Sequence, residues 1–258
     1  MEMIKSKDNP LVKQVAALMQ NRKDRVKNGA FVAEGARFCG EAVITGANIR
    51  HTLMTEDFYA SHKDEAQRLE SVCSDVRLIS EAVADKLGAT VNSQGVFCVC
   101  DIPKSKNTLN GSKYICLEEV RDPGNIGTII RSAEAFGMDG VILIGNCADV
   151  YSPKVLRSTM GTIFRLPIIS FDCVQSALDA FKKGNFMTFG AVLERNSKKL
   201  SEISFDEKTI CLIGNEANGL TKEAQNSCDD FLFIEMSGGA ESLNAAVAAS
   251  VIMYKMQK

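Results

Sequence analysis

Three features of the sequence predict a two-part α/β protein. Strand-like apolar runs alternate with amphipathic runs of helical spacing along the whole chain, the pattern of α/β domains with largely parallel sheets. A polar stretch, PKSKNTLNGSK at 103–113, interrupts that alternation and has the Pro, Gly, Asn and Ser content of a linker. Beyond it, three strand ends run into loops rich in Gly, Asn, Ser and charge. The expected division is a smaller N-terminal α/β domain over 1–103, a linker over 104–112 and a larger α/β domain over 113–258.

The elements follow in order. Asn9 before Pro10 makes a helix start, an N-cap followed by proline at the first helical position. Leu11, Val12, Val15, Leu18 and Met19 continue with helical spacing, so one helix is expected to about Lys27, ended by Asn28-Gly29. AFVAE is a strand, ARFCGEAVITG a helix, IRHTLMT a strand and HKDEAQRLESVC a charged helix. DVRLIS, EAVADKLGA and GVFCVCDI then read strand, helix, strand. In the second part YICLEEV, GVILIGN, RLPIISF, FMTFGAVL, TICLIG and FLFIEM are strands. TIIRSAEAFGM, SPKVLRSTMG, CVQSALDAFKKG and LTKEAQNSC are helices, and a long helix from about Ser242 closes the chain.

Composition narrows the function classes. The N-terminus, MEMIKSKDNPLVK, lacks the apolar core of a secretory signal. No apolar run approaches the roughly 20 residues of a membrane helix, and Ala245 to Tyr254, the longest, reads as a buried helix. A cytoplasmic protein with no membrane partner is expected. The nine cysteines are odd in number and contain no C-x-x-C; Cys98 and Cys100 are the one close pair. Reduced, mostly buried thiols are expected rather than a disulfide framework or a metal site. Net charge is −2, yet positions 1–28 hold seven basic against three acidic residues. Such an arm can hold a phosphate backbone; a solvated helix face explains it as well.

The three loops are RDPGNIG (121–127), GNEANG (214–219) and SGGAESLN (237–244). Ligands of open α/β sheets bind outside the carboxyl ends of the strands, so together these loops form the candidate site. No G-x-x-x-x-G-K-[ST] and no G-x-G-x-x-G occurs, which removes the P-loop and the ordinary dinucleotide fingerprint. Both histidines, His51 and His62, precede the linker, so a histidine base or metal ligand is excluded from the second domain. Singly, each loop residue has a plain structural reading. Asn125 can cap a helix starting near Ile126, Glu216 can be solvated, and Ser242 can cap the last helix with Asn244 just inside it. Arg131 sits about 140° from the stripe Ile126, Ile130, Ala133, at ~100° per residue, as an exposed arginine would.

Taken together, NIGTIIRSAEAFGMDGVIL, SPKVLRSTMGTIFRLPI, LIGNEANGL and IEMSGGAESLNAAVAAS, in that order, resemble the SpoU/TrmH family of RNA ribose methyltransferases in the SPOUT superfamily. The resemblance covers residues 113–258. IKSKDNPLVKQVAAL and KDRVKNGAFVAEGARF resemble the family's substrate-binding module. One departure is Glu235, where the family usually has proline.

The resemblance implies a parallel sheet with a deep trefoil knot, S-adenosylmethionine as cofactor, and methyl transfer to a ribose 2′-hydroxyl of structured RNA, ribosomal RNA above all. Arg131 is implied as a base prompted by a substrate phosphate; binding phosphate and stabilising the developing alkoxide suits the sequence equally. Asn125, Ser242 and Asn244 are implied to position substrate and cofactor, and Glu216 to orient Arg131 or the ribose. Gly214, Ile234, Met236 and Leu243 are implied at the cofactor. Lys13, Arg22, Lys23, Arg25, Arg37 and Arg157 form the expected RNA-contact set. A homodimer through the last helix is implied, with no metal. Transfer RNA as substrate, a non-catalytic RNA-binding protein of the same fold, and a small-molecule α/β enzyme stay open as alternatives.

Overall fold

The structure is a computed structural model that describes residues 3–89, 93–103, 108–193 and 196–257. Positions 104–107 of the expected linker lie outside the described residues. The chain forms two compact units, one of residues 1–104 with 151–165, the other of 105–150 with 166–258. The segment 151–165, read from the sequence as part of the second domain, thus packs with the first unit.

The first unit contains β1 (Met3–Ile4), α1 (Pro10–Gln20), α2 (Arg22–Asn28), β2 (Ala30–Glu34), α3 (Ala36–Ile44), β3 (Ile49–Thr55), α4 (Glu56–Ser61), α5 (Lys63–Val72), β4 (Val76–Ile79), α6 (Glu81–Leu87) and β5 (Val96–Asp101). Its sheet order is β1-β4-β3-β5-β2. β1, β4 and β3 are parallel, but β5 runs antiparallel to both β3 and β2, so this sheet is mixed rather than largely parallel. Asn9 caps α1 by accepting the Leu11 N–H at 2.9 Å, with Pro10 first in the helix. Val12, Val15, Leu18 and Met19 are buried, as their spacing requires.

The single helix expected to Lys27 is in fact two. Asn21 adopts extended backbone between them, and the Arg25 side chain turns back onto α1. Its Nη1 donates to the Leu18 and Met19 carbonyls, acceptors that a helix C-terminus leaves unpaired. Gly29, at φ +58°, ends α2.

The unit 105–150 with 166–258 holds β6 (Lys113–Glu118), α7 (Pro123–Ala135), β7 (Gly140–Ile144), β8 (Ile168–Phe171), α9 (Val174–Lys183), β9 (Met187–Ala191), β10 (Lys198–Lys199), β11 (Thr209–Ile213), α10 (Lys222–Gln225), β12 (Asp230–Phe233) and α11 (Ala245–Met256). Between β7 and β8 in the chain, α8 (Pro153–Thr159) belongs to the segment packed with the first unit. The seven strands pair in the order β10-β12-β9-β11-β6-β7-β8, every pair parallel. β6, β7 and β11 are buried along their whole length, which explains their unbroken Val/Ile/Leu/Cys runs. A core of Tyr114, Ile142, Phe171, Phe181, Ile210 and Leu212 fills the space beneath α9.

All nine cysteines are free and seven are buried. Burial pushes the Cys228 thiol up to about 12, far from the thiolate form that nucleophilic or metal chemistry uses. No helix among the described residues is long and apolar enough to cross a membrane.

Candidate active site

The parallel sheet brings the three Gly/Asn loops to the carboxyl ends of β6, β11 and β12. The first begins at Glu119, which takes φ +52° and turns the chain from β6 into α7. Asp122, not Asn125, is the N-cap of α7; its Oδ1 accepts the Asn125 N–H at 2.8 Å. Asn125 therefore lies inside the first turn, and its buried side-chain amide is available for contacts away from its own helix.

The second loop is a tight hairpin. Asn215 and Gly219 exchange main-chain hydrogen bonds of 3.1 and 2.9 Å. Asn215 Nδ2 donates to the Glu119 carbonyl at 2.8 Å. The buried carboxylate of Glu118 accepts from Thr221 N at 2.8 Å and Thr221 Oγ1 at 2.6 Å. The hairpin is thereby tied at one end to Glu119, the first residue of the loop, and at the other to Glu118, the last residue of β6.

Three of the predicted site residues meet in one hydrogen-bonded line. Glu216 Oε1 accepts from Asn125 Nδ2 at 2.9 Å, and Asn125 Oδ1 accepts from Asn244 Nδ2 at 2.9 Å. Glu216 also accepts the main-chain N–H groups of Arg121 and Asp122 at 3.3 and 3.1 Å. Partial burial pushes its carboxyl up, but the Asn125 amide and these N–H groups outweigh it and hold it below the usual value, so it is ionised through the neutral range. Glu216 thus orders the 121–125 loop. The expectation that it orients Arg131 gains no support: the Glu216 carboxylate is directed at Asn125 and the 121–122 main chain.

Asn244, rather than Ser242, caps α11. Its Oδ1 accepts the N–H groups of Ala246 and Val247 at 2.9 and 3.3 Å. Both ends of one amide are used, the oxygen on its own helix and the nitrogen on Asn125. Arg131 is exposed on α7, as its helical position implied, and no ion pair holds it among the described residues.

A cleft of about 160 Å³ lies beside this line, lined by Ala191, Val192, Leu193, Leu232, Phe233, Ile234, Met236, Glu241, Ser242, Leu243, Ala248 and Ile252. It brings together three of the four residues expected at the cofactor, Ile234, Met236 and Leu243. Gly214 is not on its lining; it is buried under the hairpin instead. The 191–193 wall is new. The run GAVL ends a strand with no chemical side chain, and its only signal was the glycine and alanine at a strand end. Glu235, in place of proline, accepts the Ser201 hydroxyl and, at 3.4 Å, the Ser201 N–H. The Ser201 hydroxyl is what draws its carboxyl below the usual range.

Of the expected RNA contacts, Lys13, Arg22, Lys23, Arg37 and Arg157 are exposed. Arg25 is not. It is 4% exposed and its guanidinium is spent on α1 carbonyls, so it is a structural residue.

A parallel α/β sheet with asparagine and glutamate loops joined at its carboxyl edge defines a class of enzyme. The chain belongs to the SpoU rRNA methylase family, which it matches over residues 112–254. Residues 9–98 match the MRM3-like substrate binding domain. The chain is 30% identical, over all of both chains, to the 23S rRNA (guanosine(2553)-2′-O)-methyltransferase RlmP of Bacillus subtilis. It is 31% identical to the 23S rRNA (uridine(2479)-2′-O)-methyltransferase of Streptomyces viridochromogenes, over 96% of this chain and 89% of that one. Among solved structures it is similar to the AdoMet-bound rRNA methyltransferase of Sinorhizobium meliloti, with a TM-score of 0.88 and 28% identity over 98% and 96% of the two chains.

Proposed function

We propose that this protein transfers the methyl group of S-adenosylmethionine to a ribose 2′-hydroxyl of ribosomal RNA, 23S rRNA being the substrate named for its relatives. The observation that carries the reading is the Glu216–Asn125–Asn244 line, which locks three loops at one sheet edge beside a cleft. The lining fits the cofactor: aliphatic walls and loop main chain suit a purine and a sulfur-bearing chain, and Glu241 and Ser242 supply a polar end. When bound, the cofactor supplies an electrophilic methyl carbon. The chain's share is orientation, which in the best aligned systems supplies ~7–11 kcal/mol, and care of one proton. Asn125 and Asn244 orient, Ser242 offers a hydroxyl to the cleft, and Arg131 brings a cation for a substrate phosphate and the developing alkoxide. Mapping 2′-O-methylation across the stable RNAs of a strain lacking the gene tests the reading: one site in rRNA should be lost. Loss in transfer RNA, or no loss, would overturn it.

The division of labour in this reading follows the two compact units: residues 1–104 with 151–165 hold RNA, and 105–150 with 166–258 hold the cofactor and the reaction, so the expected boundary at 113 is shifted by the segment 151–165. The family's knot belongs to the same reading. A ribosomal substrate also makes the cytoplasm the compartment of this reading.

The basic arm gives a test of RNA binding. Replacing Lys13, Arg22 and Lys23 by glutamine should weaken rRNA binding and flatten its salt dependence by about one unit of log–log slope for each phosphate no longer neutralised. Cofactor affinity should stay unchanged. An unaltered slope would make the arm a solvated face. Arg25→Gln should instead lower the melting temperature, because it strips the α1 carbonyls of their donor.

Assembly belongs here too. On α11 the residues Ala246, Ala249, Ile252, Met253 and Met256 are buried, whereas Val247, Val251 and Tyr254 are 38–62% exposed, and Leu243, just before the cap, is 37% exposed. Three large apolar residues along the helix, with Leu243 just before its cap, mark an association surface, and a two-fold pairing of identical surfaces covers it. We read the protein as a homodimer through this face. Light scattering should give twice the 28.1 kDa of one chain, and Val251→Asp should shift the mass towards the monomer and reduce activity. A fully active monomer would overturn this.

A further inference from the structure

A second cavity lies wholly within the unit of residues 1–104 with 151–165. It measures about 150 Å³ and is lined by Met19, Val32, Glu34, Gly35, Arg37, Phe38, Gln94, Pro153, Leu156, Arg157 and Met160. Its composition is that of a site for a planar, partly polar ring. Val32 and Leu156 form a buried apolar floor. Phe38 stands at the wall, half-buried, its ring 5.1 Å from that of Phe164, which fixes its orientation. Met160, 38% exposed, adds a thioether to the wall.

The polar part of the lining carries two arginines against one carboxylate, Glu34, whose Oε2 accepts the Ala89 N–H at 3.0 Å. Gln94 Oε1 accepts the Ala36 N–H at 2.8 Å, which fixes the amide and leaves the Nε2 hydrogens to face a ligand acceptor. Gly35 keeps that edge open: at φ +94°, a Cβ there would stand 3.0 Å from Gln94 Oε1. Two arginines, Arg37 and Arg157, stand exposed at the mouth, and Met19 lies three residues before Arg22 of the basic arm.

Aromatic and aliphatic walls with a hydrogen-bonding edge and flanking cations are what an unstacked RNA base and its phosphates require. Sequence-specific RNA recognition works chiefly on such bases, stacked on aromatic rings and bonded along their edges. We infer that this cavity seats one unstacked base of the RNA substrate, with Phe38 as stacking platform, Gln94 at the base edge and Arg37 and Arg157 on the adjoining phosphates. It is a recognition site separate from the methyl-transfer site, and it rests on the rRNA reading above.

The test is a coupling measurement. Fragments transcribed to tile 23S rRNA are screened for binding to the full chain, and the tightest is synthesised with single abasic positions. Wild-type protein should lose about tenfold in affinity at one position, near the lower end of what base–aromatic stacking supports. Phe38→Leu should lose a similar factor on the intact RNA, keep its salt slope, and show no further loss at that same position. Met160→Gly is the second variant; Met160 has φ +51°, where glycine is at ease, so the fold is retained while the wall is cut away. It too should be insensitive at that position. Additive losses for both variants at every abasic position would overturn the pocket while leaving the methyltransferase reading intact. A wild-type chain that binds S-adenosylmethionine but no rRNA fragment would overturn both.

Discussion

Arg131→Ala should abolish methyl transfer while leaving the fold and the cofactor affinity as they are. The guanidinium is exposed on α7, a helix otherwise anchored by Ile126, Ile129, Ile130 and Ala133 in the core, so its removal opens no cavity. It is absent from the lining of the cleft proposed for the cofactor, so binding there should not change. On the proposed reading, what is lost is a positive charge for an anion that develops only during reaction, an effect of about 10²–10³ in rate when a single such group is deleted. Single-turnover transfer to rRNA with isotopically labelled cofactor measures it, with calorimetry for cofactor binding. Arg131→Lys keeps the charge but not the planar two-pronged geometry, and should fall between. An alanine variant retaining more than about a tenth of the wild-type rate would exclude both roles, base and stabiliser.

Much of this site was legible because it sits where the sheet changes into loops. Apolar runs of five or six residues set the strands, and Gly, Asn and charge mark where they end. That places Asn125, Glu216 and Asn244 in three loops at one edge without any distance. Which residue caps which helix was not legible. Asp122 and Asn125, like Ser242 and Asn244, are all capable N-caps. At α7 the network decides: Asn125 is engaged with Glu216 and Asn244 and the cap falls to Asp122; at α11 Asn244 does both, its oxygen capping the helix and its nitrogen bonded to Asn125.

Other misreadings have equally specific causes. Counting charge over 1–28 cannot see that Arg25 points inward, because that depends on the bend at Asn21, and neither Gln20 nor Asn21 is a strong helix breaker. Alternation of strands and helices does not encode strand direction, so the reversal of β5 stayed hidden. α4 was missed since its six residues, EDFYAS, are shorter than a helical pattern can show; its cap, Thr55, accepting the Phe58 N–H at 3.2 Å, is the signal that was present. The cleft wall at 191–193 offers only main chain and small or aliphatic side chains, which sequence reasoning has no means to single out.

The strands of the hairpin under the site approach each other closely, and Gly214→Ala should disable it. A Cβ at Gly214 would stand 2.1 Å from the Gly219 carbonyl carbon, 2.1 Å from Leu220 N and 2.4 Å from the Gly219 oxygen. All three are main-chain atoms, so no side chain can swing aside; the two strands of the hairpin must part. Parting them breaks the Asn215–Gly219 pair, releases Asn215 from the Glu119 carbonyl, and draws Glu216 away from Arg121, Asp122 and Asn125. The line to Asn244 then loses its ionised end, and with it the order of the α11 cap beside the cleft. Transfer should fall below detection and cofactor affinity should fall by about tenfold or more, with about 1–3 kcal/mol lost in stability. Gly219→Asn is the control. Gly219 has φ +65° and nothing within 4 Å of its would-be Cβ, and asparagine tolerates that left-handed conformation, so this variant should keep most of its activity. Calorimetric binding and thermal melts of the two proteins decide between a steric and a conformational requirement. Equal behaviour of the two variants, or a Gly214→Ala protein that binds cofactor as wild type does, would show that the close approach of the hairpin strands is not what builds the site.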